Sequence, residues 1–459
     1  MRHTRTWWTL AAAAVTLSLV AAACGDDKTT TATPSPTTPT VEKSLVGMKG
    51  TTPLVDLGAE FKTRMTGIDP TLVDFNYGAE SYDAVIIIAL ATAEAKDDGS
   101  KAADKINGIT RGGEKCTDFK TCAGLIAAGK DIDYDGVSGP LEFSGNGEPT
   151  EASYGVLQFG SNCTEFNAAQ TKAGKPEQKS CIDNKKTEFV KATAPKEADV
   201  PQEPVTAART GDGVLKIGTL LPLTGSLAFL GPPEFAGVKL AIQEINAAGG
   251  VLGKPVECEC AGDSGDTANK KAPDTVAEML SKNVDALIGA ASSSVTLSVI
   301  DTITTAGVTM FSPANTAKKL STYADKGLYF RDAPSDILQG QVLGDQIVKD
   351  GKSKVFILAL NDDYGTGLAE DLTKSLTGGG ATVVNPDGKA LIYDPKAADY
   401  KTEVQAAKDA QPDAIVIIGF DETSKILGTM VEQGVSASLV YGVDGNMGNA
   451  LAAAFEAGK

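Results

Sequence analysis

Hydroxyl-bearing residues follow two buried strands in the second half of the chain. Ser292, Ser293 and Ser294 stand after the apolar run DALIGA and before a helical pattern, which brings their hydroxyls together with free N–H groups. Such a helix start favours a carboxylate, although plain N-capping by serine is the alternative. The loop 312–316, Ser-Pro-Ala-Asn-Thr, also follows a strand end, where open α/β sheets bind ligands. The two loops predict a site for a small molecule.

The residue inventory excludes the common catalytic arrangements. His3 is the only histidine among 459 residues, and we expect its segment to be removed. Ser-His-Asp and Cys-His catalysis and His-based zinc sites therefore lack their central residue. The adjacent acids Asp362 and Asp363 have no second partner set and are interpreted as a solvated loop. We therefore predict that the protein is not an enzyme.

Two further motifs resemble cofactor sites only in part. Residues 124–131, GLIAAGKD, imitate a phosphate-binding loop but lack its Ser/Thr, and LIAA is typical of a helix. The acids of 131–142, in DIDYDGVSGPLE, match the spacing of a calcium-binding loop. Pro140 and the strand-like LEF oppose the helix that should follow such a loop. We predict a structural turn here, and no metal or cofactor anywhere in the chain.

The composition predicts an acidic globular protein. Lys and Arg number 42 against 59 Asp and Glu, which gives a formal net charge of −17. A surface of this sign repels phosphate backbones and argues against nucleic-acid binding. Hydrophobic residues make up 42% of the chain, enough for a sizeable core, and the length suggests two or three domains.

The first 24 residues are predicted to be an export signal. Arg2 and Arg5 precede the apolar run 7–23, and small residues lead into Cys24. This arrangement resembles a bacterial lipobox, which implies that Cys24 carries lipid. An ordinary secretory signal and an N-terminal membrane helix are the alternatives, but the run is short for a spanning helix. The Thr/Pro-rich residues 25–44 are interpreted as a tether.

Six further cysteines favour disulfides in an exported chain. The pairs that are local in sequence are Cys116–Cys122 and Cys163–Cys181. Cys258 and Cys260 lie two apart in a predicted strand, where a direct bond would be strained, so free thiols stay open. A metal site at this pair would need a second cluster of matching spacing, and the sequence has none.

Apolar strands alternate with helical patterns from Val214 onward. One series runs from VLKIGTLL to VTMFSP, and a second runs from KVFILALN to SLVYGVD. Continuous apolar runs are typical of buried parallel strands, and their alternation with helices predicts an α/β protein with two sheets. The stretch 191–213 is rich in Pro, Ala and Glu and is predicted to be a linker.

The chain resembles the type I periplasmic-binding proteins of the branched-chain amino acid (leucine-binding) family. Residues 214–459 resemble the first two-thirds of that fold through IGTLLPLTG, ALIGAASSSVT, VTMFSPANT, LALNDDYGTG, AIVIIGFDE and VYGVDG. Residues 45–160 resemble its last third through GMKGTTP, YDAVIIIALATA and DYDGVSGPLEFSGNGE, and 45–190 are predicted to form the C-terminal portion of the fold. This order implies a circular permutation; a gene assembled from halves of two copies is the alternative.

The resemblance implies two lobes that close over a ligand in the cleft between them, each a mostly parallel sheet flanked by helices. Lobe 1 would comprise mainly 214–333 with 50–98. Lobe 2 would comprise mainly 334–459 with 45–49 and 99–190.

The resemblance also implies the roles of individual residues. The backbone carbonyl of Ala314 and the hydroxyl of Thr316 would meet a ligand's amino group, and Asp444 would provide its counter-charge. Tyr364 would cover the ligand. The remaining candidates for the cleft are Phe420, Asp421 and Tyr82; Phe420 stands where many relatives have Tyr, which leaves the preferred ligand side chain undetermined.

The sequence thus predicts a solute-binding lipoprotein of an ABC importer on the outer face of a bacterial cytoplasmic membrane. It would bind a branched-chain or related small amino acid or amide and act as a monomer that delivers this ligand to a permease. A sensory receptor ectodomain with the same cleft is the alternative function. A secreted hydrolase is disfavoured by the lack of a mature histidine and a nucleophile motif.

Overall fold

The computed structural model describes residues 42–194 and 201–458. The predicted export signal, Cys24 and nearly all of the predicted tether lie outside the described residues. The strands are β1 (Lys49–Pro53), β2 (Glu114–Cys116), β3 (Ile132–Tyr134), β4 (Glu151–Gly160), β5 (Cys181–Ile182), β6 (Glu188–Thr193), β7 (Lys216–Leu220), β8 (Glu257–Glu259), β9 (Ala286–Gly289), β10 (Thr309–Ser312), β11 (Tyr329–Arg331), β12 (Lys354–Leu360), β13 (Thr382–Val383), β14 (Leu391–Tyr393), β15 (Ala414–Ile418) and β16 (Val440–Gly442).

The α-helices surround these strands and in most cases follow them along the chain. They are α1 (Ala59–Ile68), α2 (Gly78–Ala95), α3 (Ile106–Ile109), α4 (Phe119–Ala127), α5 (Thr164–Lys172), α6 (Gly231–Ala247), α7 (Lys271–Ser281), α8 (Ser293–Thr305), α9 (Asp336–Lys349), α10 (Asp363–Gly378), α11 (Lys401–Asp409), α12 (Thr423–Glu432) and α13 (Asn449–Ala457). None of the described helices is both long enough and apolar enough to cross a membrane.

The first lobe is built on a five-stranded, wholly parallel sheet. Its strand order is β8-β7-β9-β10-β11. The strands β9 and β10 are buried along their whole length, as their continuous apolar sequences predict. Helices α2 and α6 pack on each other and, with β7 and β9, share one hydrophobic core.

The second lobe is built on a larger sheet to which both ends of the chain contribute. The strand order is β13-β12-β15-β16-β1-β4-β5, with β14 beside β12 and β6 beside β4. Strand β1 runs parallel to β16, with Lys49 opposite Tyr441, and antiparallel to β4. Strand β1, near the start of the described chain, therefore lies in one sheet beside β16, which is the last strand along the chain.

The predicted division between lobes needs two corrections. Strand β1 belongs to the second lobe up to Pro53, rather than crossing at residue 50. The segment 100–143 packs with α2 and α6 in the core of the first lobe, so only about 151–190 of the predicted 99–190 joins the second. Packing against residues distant in the sequence decides this assignment, since the buried residues of 100–143 share the core of α2 and α6.

The two ends of the described fold meet at the surface of the second lobe. The Lys43 ammonium lies 5.6 Å from the centre of the Phe455 ring, in the last helix. The predicted linker begins later than expected, because β6 continues to Thr193. Its described part, 201–213, lies along the first lobe, where the Asp98 carboxylate accepts hydrogen bonds from the N–H groups of Gly213 and Val214.

The disulfides Cys116–Cys122 and Cys163–Cys181 are confirmed. The structure also joins Cys258 to Cys260. The turn that matched a calcium loop holds a lysine instead. Lys115 Nζ lies 2.9 Å from Asp133, 2.9 Å from Asp135 and 3.4 Å from Glu142, so its ammonium pairs with three carboxylates and offsets part of their charge. The described residues contain no group of three acidic, histidine or cysteine side chains arranged for a metal.

Candidate functional site

A narrow cavity lies between the lobes, beside the carboxyl ends of several strands. Such strand ends are the usual ligand site of open α/β sheets. Residues from both lobes line it: Tyr77, Leu227, Leu230, Ala291, Ser292, Ser293, Ala314, Thr316, Tyr364, Phe420, Asp444 and Gly445. Seven of the ten residues predicted from the sequence are therefore brought together, although they are spread over more than 150 positions. We call this space the inner cavity.

The serines that follow β9 form the hydroxyl-rich wall. Ser292 is the N-cap of α8, and its Oγ accepts a hydrogen bond from the Val295 N–H at 3.4 Å. Ser293 Oγ accepts from the Ala317 N–H at 3.2 Å, which ties α8 to the neighbouring ligand loop. Capping and cavity lining thus coincide at these residues. The positive end of the α8 dipole, with its first N–H groups, faces the same region and favours an anion there.

Buried side chains hold the loop 312–316, which follows β10, in a fixed position. Asn315 donates through Nδ2 to the carbonyls of Ala290 and Ala291 at 2.9 and 2.8 Å. The fully buried Arg331 donates to the carbonyls of Asn315 and Ala317 at 3.2 and 3.0 Å. Arg331 also pairs with Glu148, which balances its buried charge. These bonds fix the backbone on both sides of Ala314 and Thr316.

Asp444 forms the anionic wall opposite the serines. It follows β16, is only 5% exposed, and accepts two hydrogen bonds from tyrosine hydroxyls. Tyr364 Oη donates to Oδ1 at 2.5 Å, and Tyr77 Oη donates to Oδ2 at 2.9 Å. Tyr77 belongs to the first lobe and Tyr364 to the second, so the Asp444 carboxylate links the two halves of the cleft.

Burial raises the pKa of Asp444, and the hydrogen bonds from Tyr364 and Tyr77 partly oppose this increase. The buried Asp336 lies close enough to repel it, and burial together with Asp444 raises the pKa of Asp336 well above its usual range. The pKa values of both tyrosines are raised as well, which keeps their hydroxyls protonated as donors. A cationic ligand group beside Asp444 would relieve this concentration of buried negative charge.

The rest of the inner cavity is apolar. Leu227 and Leu230 come from the segment before α6, and Ala291 precedes α8. The Phe420 ring stacks on the Tyr364 ring with centroids 5.5 Å apart and planes at 10°. A polar pair of walls with an apolar lining between them suits a small zwitterion with a hydrocarbon side chain.

Three predicted residues lie elsewhere. Tyr82 packs edge-on against Phe61, and its hydroxyl donates to Glu244 at 2.6 Å, so it belongs to the packing of α2 and not to the cavity. Ser294 Oγ donates to Asp362 at 3.1 Å and bridges the lobes beside the cavity. Asp421 points to two outer cavities rather than the inner one.

Sequence reasoning missed Tyr77, Leu227, Leu230, Ala291 and Gly445. Tyr77 carries a signal in retrospect: it is the N-cap of α2 and has a left-handed backbone, with φ of 59°. A non-glycine residue in that conformation is uncommon and often functional. The sequence pattern does not reveal the dihedral angle, so the signal is visible only in the fold.

Comparison with known proteins agrees with this architecture. A family model described as "Periplasmic binding protein" matches residues 214–458, more than half of the chain. The chain belongs to the periplasmic binding proteins, and its fold is that of type I. The relatives that the chain matches carry the names of binding proteins.

The relatives are named for amino acids. The chain is 27% identical over 232 residues to Leu/Ile/Val-binding protein homolog 3 of Brucella melitensis, a match that covers 50% of this chain and 61% of the relative. It is 32% identical over 175 residues to the leucine-, isoleucine-, valine-, threonine- and alanine-binding protein of Pseudomonas aeruginosa, covering 38% of this chain and 46% of the relative. The chain thus spans about three-fifths or less of the length of these relatives.

Solved structures give matches of similar extent. The LivJ substrate-binding protein of Streptococcus pneumoniae, in complex with isoleucine, is 27% identical, with a TM-score of 0.44. That match covers 50% of this chain and 64% of LivJ. The leucine-binding protein LivK of Thermotoga maritima is 26% identical, with a TM-score of 0.43, and the match covers 48% of this chain and 61% of LivK.

Proposed function

We propose that this chain is an extracytoplasmic solute-binding protein that captures a branched-chain or related small amino acid between its lobes. One observation carries the proposal: Ser292, Ser293, Ala314, Thr316, Tyr364 and Asp444 line a single cavity with hydroxyls at one wall and a buried carboxylate at the other. The α-carboxylate would lie at the start of α8 and the ammonium beside Asp444 and Thr316. Binding would stabilise the closed state, because both lobes contribute contacts.

The transport role extends this proposal. An N-terminal lipid on Cys24 would hold the protein at the outer face of the membrane, and an ABC permease would receive the ligand. No covalent step and no cofactor is required. The names of the relatives support the ligand class, and the family supports an extracytoplasmic location. A sensory receptor using the same cleft remains the alternative; a permease gene next to this one would favour transport.

Calorimetric titration of the purified chain with L-leucine, L-isoleucine and L-valine tests the ligand. Asp444→Asn keeps the shape and removes the charge, so it should weaken binding by about 2–5 kcal/mol. Asp421→Asn is a matched control, since Asp421 lies outside the inner cavity and the substitution should leave the affinity within about twofold. Unchanged affinity in Asp444→Asn would remove this residue from the site.

The carboxylate end of the ligand has its own test. Ser293→Ala should weaken L-leucine more than L-leucinamide, because the amide lacks the anion that the start of α8 would bind. Equal losses for both compounds would contradict this role of Ser293.

We also propose that the chain is a circular permutant in which 195–213 joins the usual C-terminus to the usual N-terminus. Its support is the position of β1 between β16 and β4, and the proximity of Lys43 to Phe455. A chain that starts at 214, continues from 458 into 43 and ends at 194 should fold and bind the same ligand. If only the present order binds, the reading of one permuted domain is wrong.

A further inference from the structure

Phe420 lies at the junction of three cavities. Besides the inner cavity, it lines two larger outer cavities of unequal size. Among the described residues it is the only one that lines all three. The smaller outer space, which we call the apolar chamber, is lined largely by hydrocarbon: Ala228, Phe229, Ala450, Leu451 and Ala454, together with Gly225, Ser226, Asp421, Gly445 and Asn446. Only the Phe420 ring and the Gly445 backbone are common to it and the inner cavity.

The ring is held firmly in this position. It stacks on Tyr364, whose hydroxyl is bound to Asp444. The Phe420 backbone N–H donates to Glu422 Oε1 at 3.0 Å, and Tyr393 Oη donates to the same carboxylate oxygen at 2.7 Å. The ring also packs directly on Gly445, where a Cβ would lie only 2.8 Å from Phe420 Cδ1. Position 445 must therefore stay glycine while the ring is in place.

We infer that Phe420 is a partition that limits the size of the ligand side chain, by separating the inner cavity from the apolar chamber. This inference rests on the function proposed above. The side chain of an amino acid held by Asp444 and the start of α8 would meet the Phe420 ring, which blocks the way of a longer side chain into the apolar chamber. Removal of the ring joins the two spaces, and the merged space is apolar enough for an aromatic side chain.

The test compares the dissociation constants of L-leucine and L-phenylalanine by calorimetry. In Phe420→Ala the ratio of the phenylalanine constant to the leucine constant should fall by about tenfold or more relative to the unchanged chain, the range expected when a hydrophobic pocket changes by a few methylenes. Phe229→Ala is the matched control: Phe229 lines the apolar chamber and not the inner cavity, so this ratio should change less than about twofold.

Phe420→Leu covers the case in which the alanine variant does not fold, and it should shift the ratio in the same direction by a smaller factor. An unchanged ratio in a folded Phe420 variant overturns the partition, and so does an equal shift in Phe229→Ala. If the unchanged chain binds neither amino acid, the proposed function itself fails and the partition with it. If the unchanged chain binds these amino acids and the Phe420 variants keep its ratio of dissociation constants, the partition is rejected and the proposed function stands.

Discussion

A buried carboxyl group behind the inner cavity should make the stability of this protein depend on pH. Glu80 lies in the first turn of α2, one turn after Tyr77, and is 7% exposed. Burial raises the pKa of Glu80 to about 8 from a usual value of 4.5, and the nearby Asp83 adds to this increase. No described lysine or arginine pairs with it. Glu80 is therefore protonated in the folded protein at neutral pH.

The magnitude follows from this pKa. A carboxyl group with a raised folded-state pKa contributes its full stability below 4.5 and loses it as the pH rises towards 8. Between these two pKa values, each increase of one pH unit lowers the free energy of unfolding by about 1.4 kcal/mol. Between pH 4 and pH 7 the group should therefore cost the folded state about 3 kcal/mol. The substitution Glu80→Gln keeps the shape of the side chain and removes this cost.

Urea unfolding of both proteins at several pH values measures the effect. The free energy of unfolding of Glu80→Gln minus that of the unchanged chain should grow by about 3 kcal/mol between pH 4 and pH 7. Glu94→Gln is the control on the same helix; Glu94 is 34% exposed and pairs with Lys105, so its difference should stay below about 1 kcal/mol. A difference for Glu80→Gln that does not vary with pH would refute the reasoning.

Three further changes test other parts of the fold. Arg331→Met leaves the buried Glu148 carboxylate without its cationic partner, although the hydrogen bond from the Ser321 hydroxyl stays. It should lower the free energy of unfolding by about 3–5 kcal/mol in urea titrations, with partial recovery when Glu148→Gln is added. Cys163→Ser opens a disulfide with a sequence separation of 18 and should cost about 3 kcal/mol, whereas reductant should then have little further effect at this site. Calcium should not raise the melting temperature in differential scanning calorimetry, because Lys115 Nζ already lies among the three carboxylates of the 131–142 turn.

The sequence was most informative where local chemistry decides the structure. Buried parallel strands such as β9 and β15 are continuous apolar runs, and the polar residues that follow them must gather at one edge of each sheet. That rule brings Ser293 and Thr316 to one edge of the first sheet without any knowledge of their contacts, whereas Asp444, which follows a strand of the second sheet, was predicted from the resemblance to the family. The predicted α/β class is confirmed by the two largely parallel sheets, and the type I fold is confirmed by the family match over residues 214–458.

The errors arise where packing between distant segments decides the structure. Tyr82 opens an apolar helix and could have faced the cleft, but the face of α2 that carries it packs on Phe61 and Glu244. Tyr77, five residues earlier, is the one that reaches Asp444. The hydrophobic pattern shows that a helix is buried, but it does not show which of its buried faces meets a ligand. The two tyrosines therefore could not be told apart in the sequence.

A circular permutation, as proposed above, would leave the inner cavity in place. Every wall is positioned by a strand end or a helix start, and those contacts do not depend on which loops are covalently continuous. A permutation replaces one surface connection by another of different length. The entropic cost of closing a loop rises only slowly with its length, by about 0.6 kcal/mol per doubling. The described stretch 201–213 is fixed along the first lobe by Asp98 and by the ion pair of Arg209 with Asp285, so part of the longer link is itself bound. The cavity thus depends on the order of strands within the sheets, and the order along the chain is free to change wherever two ends meet at the surface.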